Sequence, residues 1–179
     1  QCRNATVTGA WRPRTPPRWE RARNESLTPA SLPPSVAGFL AEHGRVVLVS
    51  LGSPSRSYTR LLRSIVTRGL GVPAVVQLHT AEGHPALAAA TPAAGAAPTL
   101  VVRKREGELN HADLMSSCIA VVHHGGAGTL HSVTRAGVPS VVVPYTGDSY
   151  YWREAAIAAG LCPPGRPPVL STWCRSSWW

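Results

Sequence analysis

The sequence predicts an α/β fold in which helices cover both faces of a doubly wound parallel sheet. Short apolar runs alternate along the chain with segments of helical periodicity. The runs are apolar throughout rather than at every second position, as expected for parallel strands buried on both faces. A chain of 179 residues can bury one substantial core, so a single domain of this kind is expected.

Each predicted element has a local signal. The first strand, 46–51, is continuously apolar, and the helix at 58–70 presents one leucine-rich and isoleucine-rich face before Gly71 and Pro73 end it. The remaining predicted strands are 74–78, 99–102, 119–122 and 140–143. The remaining predicted helices are 36–42, 113–118, 129–136 and 149–159.

The two ends of the chain differ in composition from its centre. Residues 1–44 are rich in proline and arginine and are interpreted as an interdomain linker, whereas 45–168 form the predicted folded domain. Residues 169–179 carry three tryptophans without any period and are interpreted as an irregular, aberrant tail, the alternative being an aromatic tail that docks on another domain.

Charge and cysteine content limit the partners that are expected. The net charge is +9, and nearly all of the basic residues are arginine. This composition suits either an acidic partner or the codon bias of a GC-rich genome. Prolines interrupt the basic run, so no nucleic acid is expected as a partner. The four cysteines lack a CxxC pair and are interpreted as free thiols in a reducing compartment. No apolar run approaches the ~20 residues of a membrane span. A cytoplasmic location is therefore expected, with peripheral membrane association left open.

The strongest local signal is a turn that follows the strand at 119–122. Two histidines, His123 and His124, come next, then a run that contains Gly125, Gly126 and Gly128 and leads into a helix. Such glycines allow close backbone approach to a ligand, and a helix N-terminus with free N–H groups favours phosphate. An ordinary strand-to-helix turn without a ligand is the competing interpretation.

Other motifs and sites were weighed against this pattern. The glycine spacing fits neither the G-x-G-x-x-G fingerprint nor a phosphate loop that ends in lysine. No metal site is predicted, because adjacent histidines on a strand point in opposite directions and no cysteine or carboxylate lies at ligand spacing. His123 is instead expected to shape the loop or to face another domain, and His111 to lie near a base or to cap a helix. Ser53, His124 and Asp148 all follow predicted strands, so one crevice at the carboxyl edge of the sheet can receive all three.

The glycine-rich turn and the segments after it closely resemble the donor-binding motif of GT-B glycosyltransferases of the UDP-glycosyltransferase superfamily. The resemblance is to sterol glucosyltransferases and to macrolide (erythromycin biosynthesis type) or glycopeptide glycosyltransferases. It implies a Rossmann-like sheet that forms one half of a GT-B fold, with 45–168 as the nucleotide-sugar-binding domain. The segments that carry it are 121–129, 135–139 and 142–148, with looser matches at 7–11, 32–34, 46–53 and 109–114.

The resemblance also implies roles for individual residues. Donor sugar hydroxyls would be bound by Asp148 and by Ser149, which stands where the family has glutamine. The family's Pro-Phe-Trp after that position is Tyr150-Tyr151-Trp152 here. The catalytic base is expected in an N-terminal domain, so none is assigned in this chain. The residues expected at the donor diphosphate are Gly52, Ser53, His124, Gly125, Gly126, Ala127, Gly128 and Thr129.

The function implied is that of the donor-binding half of an inverting glycosyltransferase. It would take a hexosyl group from a nucleotide sugar, UDP-glucose or similar, to a hydroxyl of a lipid, sterol or small-molecule acceptor, with dTDP as the alternative nucleotide. The nucleotide sugar is a substrate, and no cofactor is expected. Two alternatives fit the same residues: a non-catalytic nucleotide-sugar-binding subunit that needs a partner chain, and an inactive truncated product.

Overall fold

The computed structural model describes residues 32–52, 56–79, 87, 90–103, 109–145 and 147–164. Predictions for most of the N-terminal linker, for the tail and for Ser53 lie outside these residues. Five helices are described: α1 (Pro34–His43), α2 (Arg56–Arg68), α3 (His111–Met115), α4 (Ala127–Ala136) and α5 (Ser149–Ala158). Five strands are described: β1 (Val46–Ser50), β2 (Ala74–Leu78), β3 (Thr99–Arg103), β4 (Cys118–His123) and β5 (Ser140–Val142).

The strands form one parallel sheet in the order β3-β2-β1-β4-β5. The chain therefore builds outward from β1 to β3 on one side and then crosses to the other side of β1 to add β4 and β5. This reversal confirms the predicted doubly wound sheet. It also creates a switch point between β1 and β4, where the loops that leave the two carboxyl ends diverge.

Each face of the sheet carries its own apolar core, which is why the strands are apolar throughout. On one face, α2 packs Tyr58, Leu62 and Ile65 over the sheet. On the other face, α1, α3 and α4 cover it, and the residues they contribute include Val36, Leu114, Met115 and Val133. Val36 is completely buried, so α1 belongs to the folded unit although it lies in the segment interpreted as linker. The domain boundaries themselves stay a prediction.

Most predicted elements differ from the structure by one or two residues at their ends, and two differences concern the site. The helix expected at 113–118 ends at Met115, because Cys118 already pairs with Val46 at the start of β4. The helix expected to begin at residue 129 begins at Ala127, since the Gly126 carbonyl accepts the Leu130 N–H at 3.0 Å. Gly128 thus lies inside the first helical turn rather than in the loop.

Two further observations concern the general nature of the chain. Among the residues that the structure describes, no helix is long and apolar enough to cross a membrane. Cys118 and Cys162 are both buried and free. Burial raises the pKa of the Cys118 thiol to about 12, so this thiol stays protonated and unreactive at neutral pH.

Candidate functional site

The candidate site lies at the switch point, where β1 leads into Gly52 and β4 leads into the loop His124–Gly126. Ser50 pairs with His123 in the sheet, so the residues that follow each strand start from neighbouring positions at the same edge. A loop of only three residues then separates β4 from α4. The sheet thereby directs the N-terminus of α4 toward the crevice above β1 and β4.

The N-terminus of α4 has no side-chain cap. Gly126 is the N-cap residue, with φ −63° and ψ 136°, and it has no side chain that could accept a hydrogen bond from the first turn. Since the first helical bond runs from the Leu130 N–H to the Gly126 carbonyl, the N–H groups of Ala127, Gly128 and Thr129 precede the helical ladder. Together with the positive end of the helix dipole, these groups favour an anion.

The ring of His124 lies close to two glycines, Gly52 after β1 and Gly126 in its own loop. A Cβ atom at Gly52 would lie 3.2 Å from Nδ1, and one at Gly126 would lie 2.5 Å from Nε2. Gly126 has a φ that any residue can adopt, so the ring requires glycine there for space and not for conformation. The imidazole is therefore held beside the α4 N-terminus. Its Nδ1 is buried without a hydrogen-bond partner among the described residues.

Gly125 is confined both by its backbone conformation and by two neighbouring elements. Its φ of +91° lies in the region that L side chains rarely adopt, and an added Cβ would lie 2.8 Å from Val142 Cγ1 and 3.0 Å from the Ser149 carbonyl oxygen. The N–H of Gly125 donates to His123 Nδ1 at 3.2 Å. The loop is thus packed against β5 and α5 on one side and bonded to the end of β4 on the other.

Gly128 differs from the other glycines of the turn. A Cβ added at this position would meet no atom of the described residues within 4 Å, and its φ is not in the left-handed region. None of the residues that the structure describes therefore requires glycine here. The missing side chain leaves open space at the first turn of α4, on the helix end that favours an anion.

Asp148 and Ser149, the two residues expected at the donor sugar, occupy different environments. Asp148 is exposed at the start of α5, and its Oδ2 accepts a hydrogen bond from the Trp152 indole N–H at 3.0 Å. Ser149 is 4% exposed, and its hydroxyl oxygen accepts the Tyr145 N–H at 3.2 Å. The Ser149 side chain thus closes the loop between β5 and α5. Its expected contact with the sugar remains a prediction.

The same loop is tied to α2 by an aromatic contact. The Tyr58 hydroxyl donates to the Val143 carbonyl at 2.8 Å, and the Tyr58 and Tyr145 rings lie 5.3 Å apart. Burial first, and then the neighbouring Tyr150 and Tyr145, raise the pKa of Tyr58, so its hydroxyl stays a donor at any physiological pH. The contacts hold the backbone that precedes Asp148.

A polar cluster that sequence reasoning missed lies at the same edge of the sheet. Ser50 donates to Gln77 Oε1 at 2.9 Å and lies 3.1 Å from His79 Nε2, while His111 Nε2 lies 2.8 Å from the same Gln77 oxygen. His111 thus reaches from α3 to β2 rather than standing at the surface. The sequence signal for this cluster is that β1 and β2, otherwise apolar, each carry a polar residue near the carboxyl end. Only the pairing of Ser50 with Gln77 in the sheet shows that these two residues lie side by side.

His123 is the buried ring of the site. Its side chain has no solvent exposure, and burial, followed by the nearby His124 and His111, lowers its pKa from 6.5 to about 4. The ring is therefore neutral at physiological pH. Within the described ranges, no group of three histidine, cysteine or acidic side chains is arranged to hold a metal.

A doubly wound sheet with an uncapped helix N-terminus at its switch point defines a class of fold, the Rossmann-like α/β domains. Residues 88–167 match the family model of the erythromycin biosynthesis protein CIII-like C-terminal domain. These residues, a little under half of the chain, are therefore similar to that C-terminal domain of the UDP-glycosyltransferases.

Similar curated proteins are glycosyltransferases. The vancomycin aglycone glucosyltransferase of Amycolatopsis orientalis is 40% identical over 68 residues, which cover 37% of this chain and 17% of that protein. Sterol 3-beta-glucosyltransferase UGT80B1 of Arabidopsis thaliana is 45% identical over 53 residues, which cover 30% of this chain and 9% of that protein. The chain thus matches at most about a sixth of the length of these relatives.

Solved structures share the fold at lower identity. The Arabidopsis thaliana enzyme UGT89C1, solved with UDP-L-rhamnose, has a TM-score of 0.53 at 18% identity, over 71% of this chain and 31% of that one. The calicheamicin glycosyltransferase CalG4 has a TM-score of 0.52 at 22% identity, over 70% and 30% of the two chains. The described five-stranded parallel sheet with its flanking helices thus has structural neighbours among GT-B glycosyltransferases.

Proposed function

We propose that this chain forms the donor-binding half of an inverting glycosyltransferase that takes a hexosyl group from a UDP-glucose-like nucleotide sugar to an acceptor hydroxyl. The single observation that carries the proposal is the anion site at the switch point, where His124 lies beside the uncapped N-terminus of α4. A sterol, another lipid or a small molecule would supply the hydroxyl, in keeping with what the names of the relatives state of those proteins.

The anion site is suited to a diphosphate for an electrostatic reason. The three N–H groups at the start of α4 and the imidazole of His124 would donate to the phosphate oxygens without burying a fixed positive charge. During transfer, the acceptor oxygen attacks C1 of the sugar and the bond from C1 to the diphosphate oxygen breaks. Negative charge then grows on the leaving diphosphate, where preorganised donors stabilise it most.

The acceptor, the donor sugar and the diphosphate each require a further group. The acceptor hydroxyl gives its proton to a general base outside the described residues. Asp148 would accept hydrogen bonds from hydroxyls of the sugar. Ser149 would support it from the first turn of α5, and Gly52 and Ser53 would approach the diphosphate from the β1 side. The nucleotide sugar is the substrate, and no cofactor takes part.

Binding of nucleotide tests this proposal directly. Calorimetric titration of the chain with UDP, dTDP and UDP-glucose is expected to show saturable binding, with UDP preferred. Binding that is equal for all three nucleotides and for inorganic pyrophosphate would show an unspecific anion site, and no binding by the folded chain would contradict the donor-binding role.

Substituting His124→Ala is expected to weaken UDP binding by about 1–3 kcal/mol, because a hydrogen bond to a charged group is lost. This corresponds to a roughly 5- to 150-fold rise in Kd, measured by the same titration. His131→Ala is the matched control, since His131 lies in the middle of α4 rather than at its N-terminus. Equal UDP affinity in both variants would remove His124 from the site.

Substituting Trp152→Phe should lower the affinity for UDP-glucose and leave the affinity for UDP unchanged. The variant keeps an aromatic ring but loses the N–H that orients Asp148. Since an exposed hydrogen bond contributes about 0.5–1 kcal/mol, a twofold to fivefold loss of UDP-glucose affinity is expected, with UDP affinity unchanged. Tyr151→Phe removes a hydroxyl from the adjacent ring and serves as control. A parallel loss for UDP would mean that Trp152 acts on the fold rather than on Asp148.

A further inference from the structure

His123 makes a hydrogen bond that defines where its own proton lies. The Gly125 N–H points at His123 Nδ1 over 3.2 Å, and an N–H group can only donate. Nδ1 is therefore the unprotonated, accepting nitrogen. In a neutral imidazole the proton must then lie on Nε2, which is buried and has no hydrogen-bond partner among the described residues.

This arrangement is costly if the ring serves only to fill space. A buried donor without a partner is unfavourable, and a leucine side chain would fill a similar volume without that cost. Two residues earlier on this face, Val121 belongs to the apolar core, and Ser50, the polar residue that pairs with His123 in the sheet, donates its hydroxyl to Gln77 instead. The accepting Nδ1 is the feature that an apolar residue could not supply.

The bond to Gly125 controls the position of the whole loop. Between β4 and α4 there are only His124, Gly125 and Gly126. The bond orients the peptide plane that joins His124 to Gly125, and Gly125 is itself confined between Val142 and Ser149. The orientation of that peptide plane therefore determines where the His124 ring and the first turn of α4 lie.

The surroundings of His123 keep Nδ1 available as an acceptor. The residues that disfavour its charged form are His124, which follows it in the chain, and His111, which belongs to α3. Together with burial they lower the pKa of His123 to about 4, so the ring stays neutral in the physiological range.

We infer that His123 is a positioning residue of the donor site: as a neutral imidazole protonated on Nε2, it holds the Gly125 N–H and so places His124 and the N-terminus of α4 for the diphosphate. The inference rests on the proposed function for its ligand and goes beyond it in assigning the residue that builds the loop. His123 itself does not touch the donor.

A pair of substitutions separates the acceptor from the volume of the ring. His123→Leu removes the acceptor and keeps an apolar filling, whereas His123→Asn places an amide oxygen where Nδ1 was. With UDP as the probe, the leucine variant is expected to lose at least about tenfold in affinity and the asparagine variant to stay within about threefold of the parent. Equal affinity of the leucine variant and the parent would overturn the inference, as would an equal loss in both folded variants.

Two measurements on the unsubstituted chain test the inference without UDP. Nitrogen-15 NMR is expected to show His123 with an unprotonated Nδ1 and a protonated Nε2 at neutral pH, and the Gly125 amide is expected to exchange slowly with solvent. A protonated Nδ1 or a fast Gly125 amide would overturn the inference, even if the substituted chains fail to fold. If the parent chain shows this tautomer and slow exchange but does not bind UDP, the proposed function fails while the positioning role stands.

Discussion

Substituting Gly125→Ala is expected to destabilise the domain by about 2–5 kcal/mol. A left-handed φ costs a residue with a Cβ about 1–2 kcal/mol. The added methyl would also lie 2.8 Å from Val142 Cγ1 and 3.0 Å from the Ser149 carbonyl, and such overpacking costs about 1–3 kcal/mol. Either the loop must move, which would break the bond to His123, or β5 and α5 must separate.

Gly128→Ala is the matched control for that substitution. Among the described residues the same methyl group meets no atom within 4 Å, and alanine favours a helix over glycine by up to about 1 kcal/mol. Unfolding in urea should therefore give a lower midpoint for the Gly125 variant and an equal or higher midpoint for the Gly128 variant. A Gly125→Ala chain as stable as its parent would show that the loop can take another path between β4 and α4.

Acidification is expected to lower the free energy of unfolding by about 3 kcal/mol through His123 alone. The pKa of this ring is about 4 in the folded chain against 6.5 as the ordinary value, so the unfolded chain binds the proton first as the pH falls. The stabilising contribution is complete above pH 6.5, declines between pH 6.5 and about 4 and is absent below that range. Each unit of difference between the folded and unfolded pKa corresponds to about 1.4 kcal/mol, and this factor gives the expected loss of about 3 kcal/mol.

The His123→Asn chain isolates this effect from that of other groups. Asparagine does not titrate, whereas the remaining histidines and the carboxylates titrate in both chains. Urea unfolding measured at several pH values between 7 and 4 should therefore show a steeper loss of stability in the parent than in the variant. Curves of the same slope would mean that His123 is not a buried neutral ring in solution.

Much of the fold was predictable because its signals are local. The apolar run at 74–78 and the helical face around Leu62 and Ile65 appear at the predicted places, within a few residues at each end. The boundary of α4 was less predictable, because glycine at position 128 argues against a helix while the Gly126 carbonyl already accepts a helical bond. Cys118 was misplaced for a related reason: an apolar residue beside a short helix can equally begin a strand.

The site was predictable in its parts but not in its arrangement. The turn after β4 pointed to His124 and the three glycines, and the strand ends pointed to Asp148; their roles stay predictions. The sequence did not show that Gly52 and Gly126 enclose the His124 ring, since that requires β1 and β4 to be neighbours. Nor did it show that Ser149 points inward to the Tyr145 N–H.

The sequence by itself determined the alternation of strands and helices, the parallel sheet and a glycine-rich turn after β4, because periodicity and glycine spacing act over a few residues. The tertiary structure alone decided the burial of His123, the location of its proton on Nε2 and the enclosure of His124. These depend on the order of strands in the sheet and on helices packed from distant parts of the chain. Exclusion of water sets the protonation state of the His123 imidazole, and the direction of one N–H group sets its tautomer. Neither is encoded in the residues next to it in the sequence.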